Sequence, residues 1–74
     1  SNTKLVARVH RIVADATGAD EATVDRAVHE SGGRAKTAIL AIIAGLDPTT
    51  ADAELAADDG VLRTTLTRLT GTKE

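Results

Sequence analysis

Five residue types are missing from this 74-residue chain: it has no cysteine, methionine, phenylalanine, tryptophan or tyrosine. Without cysteine there is no disulfide framework, no thiolate metal site and no sulfur nucleophile, which fits a reducing cytosol. Without aromatics no side chain can stack on a base, and 9 basic against 11 acidic residues leave a net charge of −2. Both features argue against nucleic acid as a partner, and the charge argues against an anionic membrane surface. No apolar run approaches the roughly 18 residues of a membrane-spanning helix, and the N-terminus lacks a signal-peptide pattern. What remains apolar is 14 Ala, 7 Leu, 6 Val and 4 Ile. A core made from these is aliphatic and fine-grained, and its small side chains let helices approach closely. So short a chain buries only about 60% of its unfolded surface, so its stability margin is thin. The expectation is one soluble, cytoplasmic, all-α domain.

Glycines punctuate the chain at Gly18, Gly32 with Gly33, Gly45, Gly60 and Gly71, each after a stretch of helical periodicity. The spacing predicts a bundle of about five short helices. The first runs from about Thr3 to Thr17 and buries Leu5, Val9, Ile12, Val13 and Ala16 on one face, with Arg8, Arg11 and Asp15 toward solvent. The second starts at Asp20 as N-cap and carries the stripe Val24, Ala27 and Val28. The third, about Arg34 to Ala44, holds the run AILAIIA from Ala38, apolar on every side. It must be central or must present a sticky face to a partner. The fourth starts at Asp47-Pro48, with Ala51, Leu55 and Ala56 as its thin apolar set, and ends at Asp58-Asp59-Gly60. The last, Val61 to Leu69, carries Leu62, Leu66 and Leu69. Residues 71–74 read as a frayed tail, Ser1-Asn2 as a cleavage scar, and no strand, linker or internal repeat is expected.

Groupings that carry chemistry are scarce. His10 and His29 fall on different helices without a spaced third ligand, so they read as boundary or surface residues and no metal or other cofactor is expected. The acidic segment with Asp47, Asp52, Glu54, Asp58 and Asp59 departs from the calcium-loop pattern and reads as a solvated helix face and its end. Gly32-Gly33-Arg34 lacks the lysine and serine of a phosphate loop and any preceding strand; a helix cap and tight turn explain it. Ser31 and the threonines have no base at a recognisable spacing, so catalytic residues are expected to be absent. Arg63, Arg68 and Lys73 make the last helix locally positive, and Arg8 with Arg11 forms another pair. Both read as solvated faces.

Three motifs in order carry a resemblance. Lys4-Leu5, Arg8, Arg11-Ile12-Val13 and Ala16-Thr17-Gly18 read KLxxRxxRIVxxATG; Gly32-Gly33, Lys36 and Ala38-Ile39 read GGxxKxAI. Gly45-Leu46-Asp47, Ala51, Leu55, Gly60, Leu62-Arg63 and Leu66 read GLDxxxAxxxLxxxxGxLRxxL. Over nearly the whole chain this set resembles the C-terminal domain of bacterial N-acetylmuramic acid 6-phosphate etherases. Two positions depart from the family pattern: Asp59, where a second glycine is usual, and Ala35, where a larger aliphatic is usual.

The resemblance implies a peptidoglycan-recycling lyase that cleaves the D-lactyl ether to give N-acetylglucosamine 6-phosphate and D-lactate. Its acid-base groups lie in a sugar-isomerase-type domain that this chain does not contain. It also implies a homodimer, and a helical domain whose first three helices (residues 3–45) are similar to the ubiquitin-associated (UBA) fold, with two further helices in 46–70. Ubiquitin is not an expected partner, because the loop Thr17-Gly18-Ala19 has no aromatic or sulfur anchor. The expected partners are the sugar-isomerase-type domain and the second subunit, met through an interaction surface of Ile39, Leu40, Ile42, Ile43 and Leu46. Ile39, Ile42 and Ile43 are expected to be largely buried in the domain's own core as well. If Asn2 is native rather than a scar, Lys4 lies in the family's N-x-K-L segment, and the resemblance makes it the one candidate substrate-binding residue, reaching the partner subunit's pocket. A freestanding UBA-like binding module is the alternative, and a helical nucleic-acid binder a distant third.

Overall fold

A computed structural model of the chain describes residues 2–71, with side chains from Thr3 onward. It holds five helices: α1 (Asn2–Thr17), α2 (Glu21–Glu30), α3 (Ala35–Ala44), α4 (Pro48–Ala57) and α5 (Leu62–Thr70), with no strand among the described residues. The all-α expectation holds. Ser1 and the tail residues Thr72 to Glu74, Lys73 included, lie outside the described residues.

Local chemistry sets the helix starts. The Asp20 carboxylate accepts from the Thr23 backbone N–H at 2.8 Å, and Asp47 accepts from the Thr50 N–H at 2.7 Å. Each satisfies an amide that the first helical turn leaves without a partner. Pro48 follows Asp47 in the first turn of α4, where a missing N–H costs nothing. α3 and α5 start without a side-chain cap, straight out of glycine-containing turns.

α3 is central, packing against each of the other four helices. It divides the interior into two clusters. Val13, Val24, Ala27, Val28, Ala38 and Ile39 form the first, and Leu40, Ala51 and Leu55 the second, with Leu62 touching both. Ala27, Ala38 and Ala51 are buried at the helix contacts, where small side chains let backbones approach.

The backbone also contains an internal repeat, contrary to expectation. α4 begins and ends 27 residues after α2 (48 − 21 and 57 − 30). The caps Asp20 and Asp47 correspond, as do the capped amides of Thr23 and Thr50 and the αL-forming Gly18 and Gly45. The two later turns share most of their backbone bonds: Gly33 N–H donates to Val28 O at 3.0 Å and Gly60 N–H to Leu55 O at 2.8 Å. Arg34 N–H reaches Ser31 O at 3.2 Å, and Val61 N–H reaches Asp58 O at 3.0 Å. Positive φ follows the same order, 63° and 82° at Gly32 and Gly33, 56° and 77° at Asp59 and Gly60. α2–α3 and α4–α5 are therefore two copies of one helical hairpin, and the last ten residues of α1 match α3. Helices touch their neighbours and next neighbours, α1 on α3 and α3 on α5, as in a short solenoid. The repeat escapes a sequence search because it is kept in caps and turns, while the packed positions differ: Ala27 against Glu54, Ser31 against Asp58, Ala38 against Thr65.

Several burial expectations need correction. On α1 only Val13 is fully buried and Val9 half-buried; Leu5, Ile12 and Ala16 are exposed. The core meets α1 along Val9, Val13 and Thr17, one side of the predicted stripe. On α3, Ile39 is buried and Ile42 half-buried, but Ile43 is 43% exposed. On α5, Leu62 and Leu66 are half-buried and Leu69 is exposed. The fully buried residue of α5 is Thr65.

Candidate interaction surfaces

Several charged side chains are engaged in holding the helices together. Arg68 on α5 spans α4: its guanidinium meets Glu54 Oε1 at 2.8 Å and Asp58 Oδ2 at 2.8 Å, and donates to the Glu54 carbonyl at 3.2 Å. The Thr65 hydroxyl donates to the same Asp58 oxygen at 2.7 Å. Hydrogen bonds from Arg68 first and Thr65 second hold the Asp58 carboxyl below the usual aspartate range, and the same contact raises Arg68. A second grouping joins α3 to α4. Asp52 accepts from the Thr37 hydroxyl and from Arg34 at 2.6 Å; the Thr37 bond is the larger cause of its lowered pKa. Lys36 adds a bond from Nζ to the Gly60 carbonyl at 2.8 Å. The acidic segment is thus more than a solvated face: Asp47 caps, and Asp52, Glu54 and Asp58 are paired. The two arginines and two threonines that pair them are distant in sequence, and folding brings them in.

His10 lies in the middle of α1 and not at a helix boundary, and it has a definite task. Its Nδ1 lies 2.8 Å from the Val6 carbonyl and its Nε2 2.8 Å from Asp25 Oδ1, tying α1 to α2. Both neighbours are acceptors, so only the doubly protonated ring fills both contacts. His29 lines the same shallow cleft between α1 and the Gly32-Gly33 turn. Among the described residues no three His, Asp or Glu side chains converge as a metal site. No helix there is long and apolar enough to cross a membrane.

The predicted interaction set separates on inspection. Leu40 is 0% exposed and Ile39 is buried, because α3 runs through the middle of the bundle. Neither is reachable by a partner without opening the domain. Of that set Ile43 is exposed, and Ile42 and Leu46 line a groove with Ala27, Ala41 and Pro48. Lys4 is exposed on the first turn of α1, with no ion pair among the described residues. Sequence reasoning overlooked the exposed Leu5, Val6, Ile12 and Val61. Periodicity puts Leu5 and Ile12 on the buried face; the signal that separates them from Val9 and Val13 is their offset around the helix.

The fold defines a short all-α helical stack, in which Arg34 pairs with Asp52 and Arg68 with Glu54 and Asp58. The chain is homologous to a segment of proteins named N-acetylmuramic acid 6-phosphate etherase. It is 46% identical to the Serratia proteamaculans protein over 68 residues, which is 92% of this chain and 23% of that protein. It is 50% identical to the Streptomyces avermitilis protein over 66 residues, 89% of this chain and 21% of the other. With the Streptomyces coelicolor protein it shares 44% over 71 residues, 96% and 23% respectively. The chain thus spans less than a quarter of the length of these relatives. No protein-family profile matches it, and no solved structure matches it.

Proposed function

We propose that the chain is the C-terminal helical domain of a bacterial N-acetylmuramic acid 6-phosphate etherase, and that it serves packing and assembly. The carrying observation is the match of almost the whole chain to so small a share of the relatives. The relatives' remaining length has room for a separate domain bearing the acid-base groups. On this reading the parent protein is a cytoplasmic lyase of peptidoglycan recycling, working as a homodimer, and α1–α3 form its UBA-like portion. The paired state of Asp52, Glu54, Asp58 and Arg68 supports a structural role, since those groups are already occupied.

The test is a chimera: the Serratia proteamaculans relative with its 68 matched residues replaced by this chain. The chimera is expected to release D-lactate from N-acetylmuramic acid 6-phosphate, and this chain alone to release none above buffer. An inert chimera, or lactate from the chain alone, overturns the proposal.

Lys4 is the residue proposed to meet substrate, through an ammonium facing phosphate or lactyl carboxylate across the subunit boundary. Its exposure and lack of an ion partner here leave it available for that contact. Lys4→Ala in the chimera should depress turnover while subunit mass and melting temperature stay unchanged. Unaltered kinetics would remove Lys4 from the site.

A further inference from the structure

The repeat makes exposure at one position informative. In steps of 27, residues 12, 39 and 66 are one position on α1, α3 and α5. Ile39 lies in the buried cluster with Val13 and Val28, which belong to the helix pair before it. Leu66 packs against Leu40, Ala51 and Leu55, again the pair before it. Ile12 has no described pair before it and is 44% exposed. Residues 13, 40 and 67 look the opposite way along the stack. Val13 and Leu40 are 0% exposed, while Thr67 is exposed and polar. The stack is therefore finished at its α5 end, where a polar residue replaces the aliphatic, and unfinished at its α1 end. Leu5, seven residues before Ile12 and so on the same side of α1, is 59% exposed and extends the open strip.

We infer that a further helix from the remainder of the longer polypeptide stacks on α1 over Leu5 and Ile12, as α1 stacks on α3 over Ile39. This rests on the proposed function, which makes the chain part of a longer protein; its relatives carry more than three quarters of their length outside the match. The repeat also fixes the chemistry of the occupant. Position 8 corresponds to Ala35 and Leu62, both packed against the core clusters. Arg8 therefore sits at the edge of the contact, and the incoming helix needs an apolar strip with a carboxylate opposite Arg8. A second copy of α1 meeting this face across a two-fold axis would bring the Arg8 and Arg11 side chains of both copies together, which like-charge repulsion opposes.

The chain lacks cysteine, so single thiols report accessibility. Ile12→Cys and Val61→Cys are made separately in the Serratia chimera, and maleimide labelling of each peptide is followed by mass spectrometry. Both positions are similarly exposed in the described domain, 44% and 48%. The inference expects Ile12→Cys to label slower than Val61→Cys by roughly tenfold or more, at every protein concentration. Equal rates in a chimera that releases lactate overturn the stacking helix and leave the proposed function standing. Slow labelling of Ile12→Cys that becomes fast on dilution assigns the face to a second subunit, and overturns the helix of the same polypeptide. A chimera without lactate release overturns the proposed function itself, and this inference with it.

Discussion

The two hairpins share a backbone and differ in what holds them. In the first, α2–α3, the contacts around Val24, Ala27, Val28, Ala38 and Ile39 are aliphatic. In the second, α4–α5, the purely apolar buried set on its own helices shrinks to Ala51 and Leu55. There the gap is filled by Thr65, Asp58, Glu54 and Arg68. One backbone thus tolerates either solution, provided the caps and turns are kept. The end of a stack needs the polar one, because its outer face meets water.

The largest test breaks the element both hairpins depend on. Leu40 is 0% exposed and belongs to the cluster that α4 and α5 build on α3. Leu40→Ala should cost about 2–5 kcal/mol in denaturant unfolding. A domain of this length has a total of roughly 4–11 kcal/mol, so the variant should unfold at a markedly lower denaturant concentration. A loss well under 1 kcal/mol would show that the second half is carried by its polar contacts alone.

Acid should separate the hairpins. Asp58 and Asp52 have folded pKa values lowered by Arg68 with Thr65 and by Thr37 with Arg34, and Asp47 by Thr50, against Asp20 alone, lowered by Thr23, at the start of the first hairpin. A lowered folded value means that the stabilisation is complete above the unfolded aspartate value of about 4. It fades as pH falls through that value and is gone below the lowered folded one. Amide exchange in α5 should therefore accelerate before that of α2 as pH falls through this window, and Asp58→Asn should shrink the difference. Simultaneous loss of protection in both hairpins would contradict the comparison.

Substitution at one repeat position should have opposite signs in the two copies. Ser31 is fully buried and its Oγ has no hydrogen-bond partner, whereas its counterpart Asp58 is bonded to Thr65 and Arg68. The position that would supply a hydroxyl to Ser31 is Ala38, the counterpart of Thr65. Ser31→Ala should raise stability by about 1 kcal/mol, since a buried unpaired hydroxyl is a net cost. Asp58→Ala should lower it. A loss at Ser31 would mean that its hydroxyl has a partner.

What was legible in the sequence follows the same division. Asp20, Asp47, Pro48 and the glycines act locally, through the adjacent turn, and every helix could be placed from them within two residues. The Val24–Ala27–Val28 stripe was legible because α2 has one buried side. Ile12 and Leu5 were not, because periodicity shows that a helix has an apolar side without showing how much of it this domain covers. The pairing of Arg68, Asp58 and Arg34 with Asp52 was also hidden. It depends on α4 packing against both α3 and α5, and no local spacing encodes that. Of the candidate site, Lys4 is exposed, while Ile39 and Leu40 belong to the core.

The smallest effect concerns the turns, where the copies differ by one side chain. Gly32 and Asp59 occupy the same left-handed position, with φ of 63° and 56°. An L-residue there brings Cβ against the carbonyl oxygen, at roughly 1–2 kcal/mol for most residues and less for aspartate. Glycine removes that strain but has more unfolded-state freedom to lose, by roughly 0.5–1 kcal/mol. Asp59→Gly should therefore raise stability by less than about 1 kcal/mol, the difference between two terms of similar size. Asp59→Ala separates them: it keeps the strain, forgoes the local bonding that lets aspartate tolerate this conformation, and should destabilise. Melting curves of the pair, with Gly32→Ala as the matching change in the first hairpin, read the comparison directly. Loss on Gly32→Ala and on Asp59→Ala, with gain on Asp59→Gly, is the signature of one backbone motif used twice. A gain from Asp59→Ala would mean that the second turn can relax out of the left-handed region, and that the repeat ends at α4.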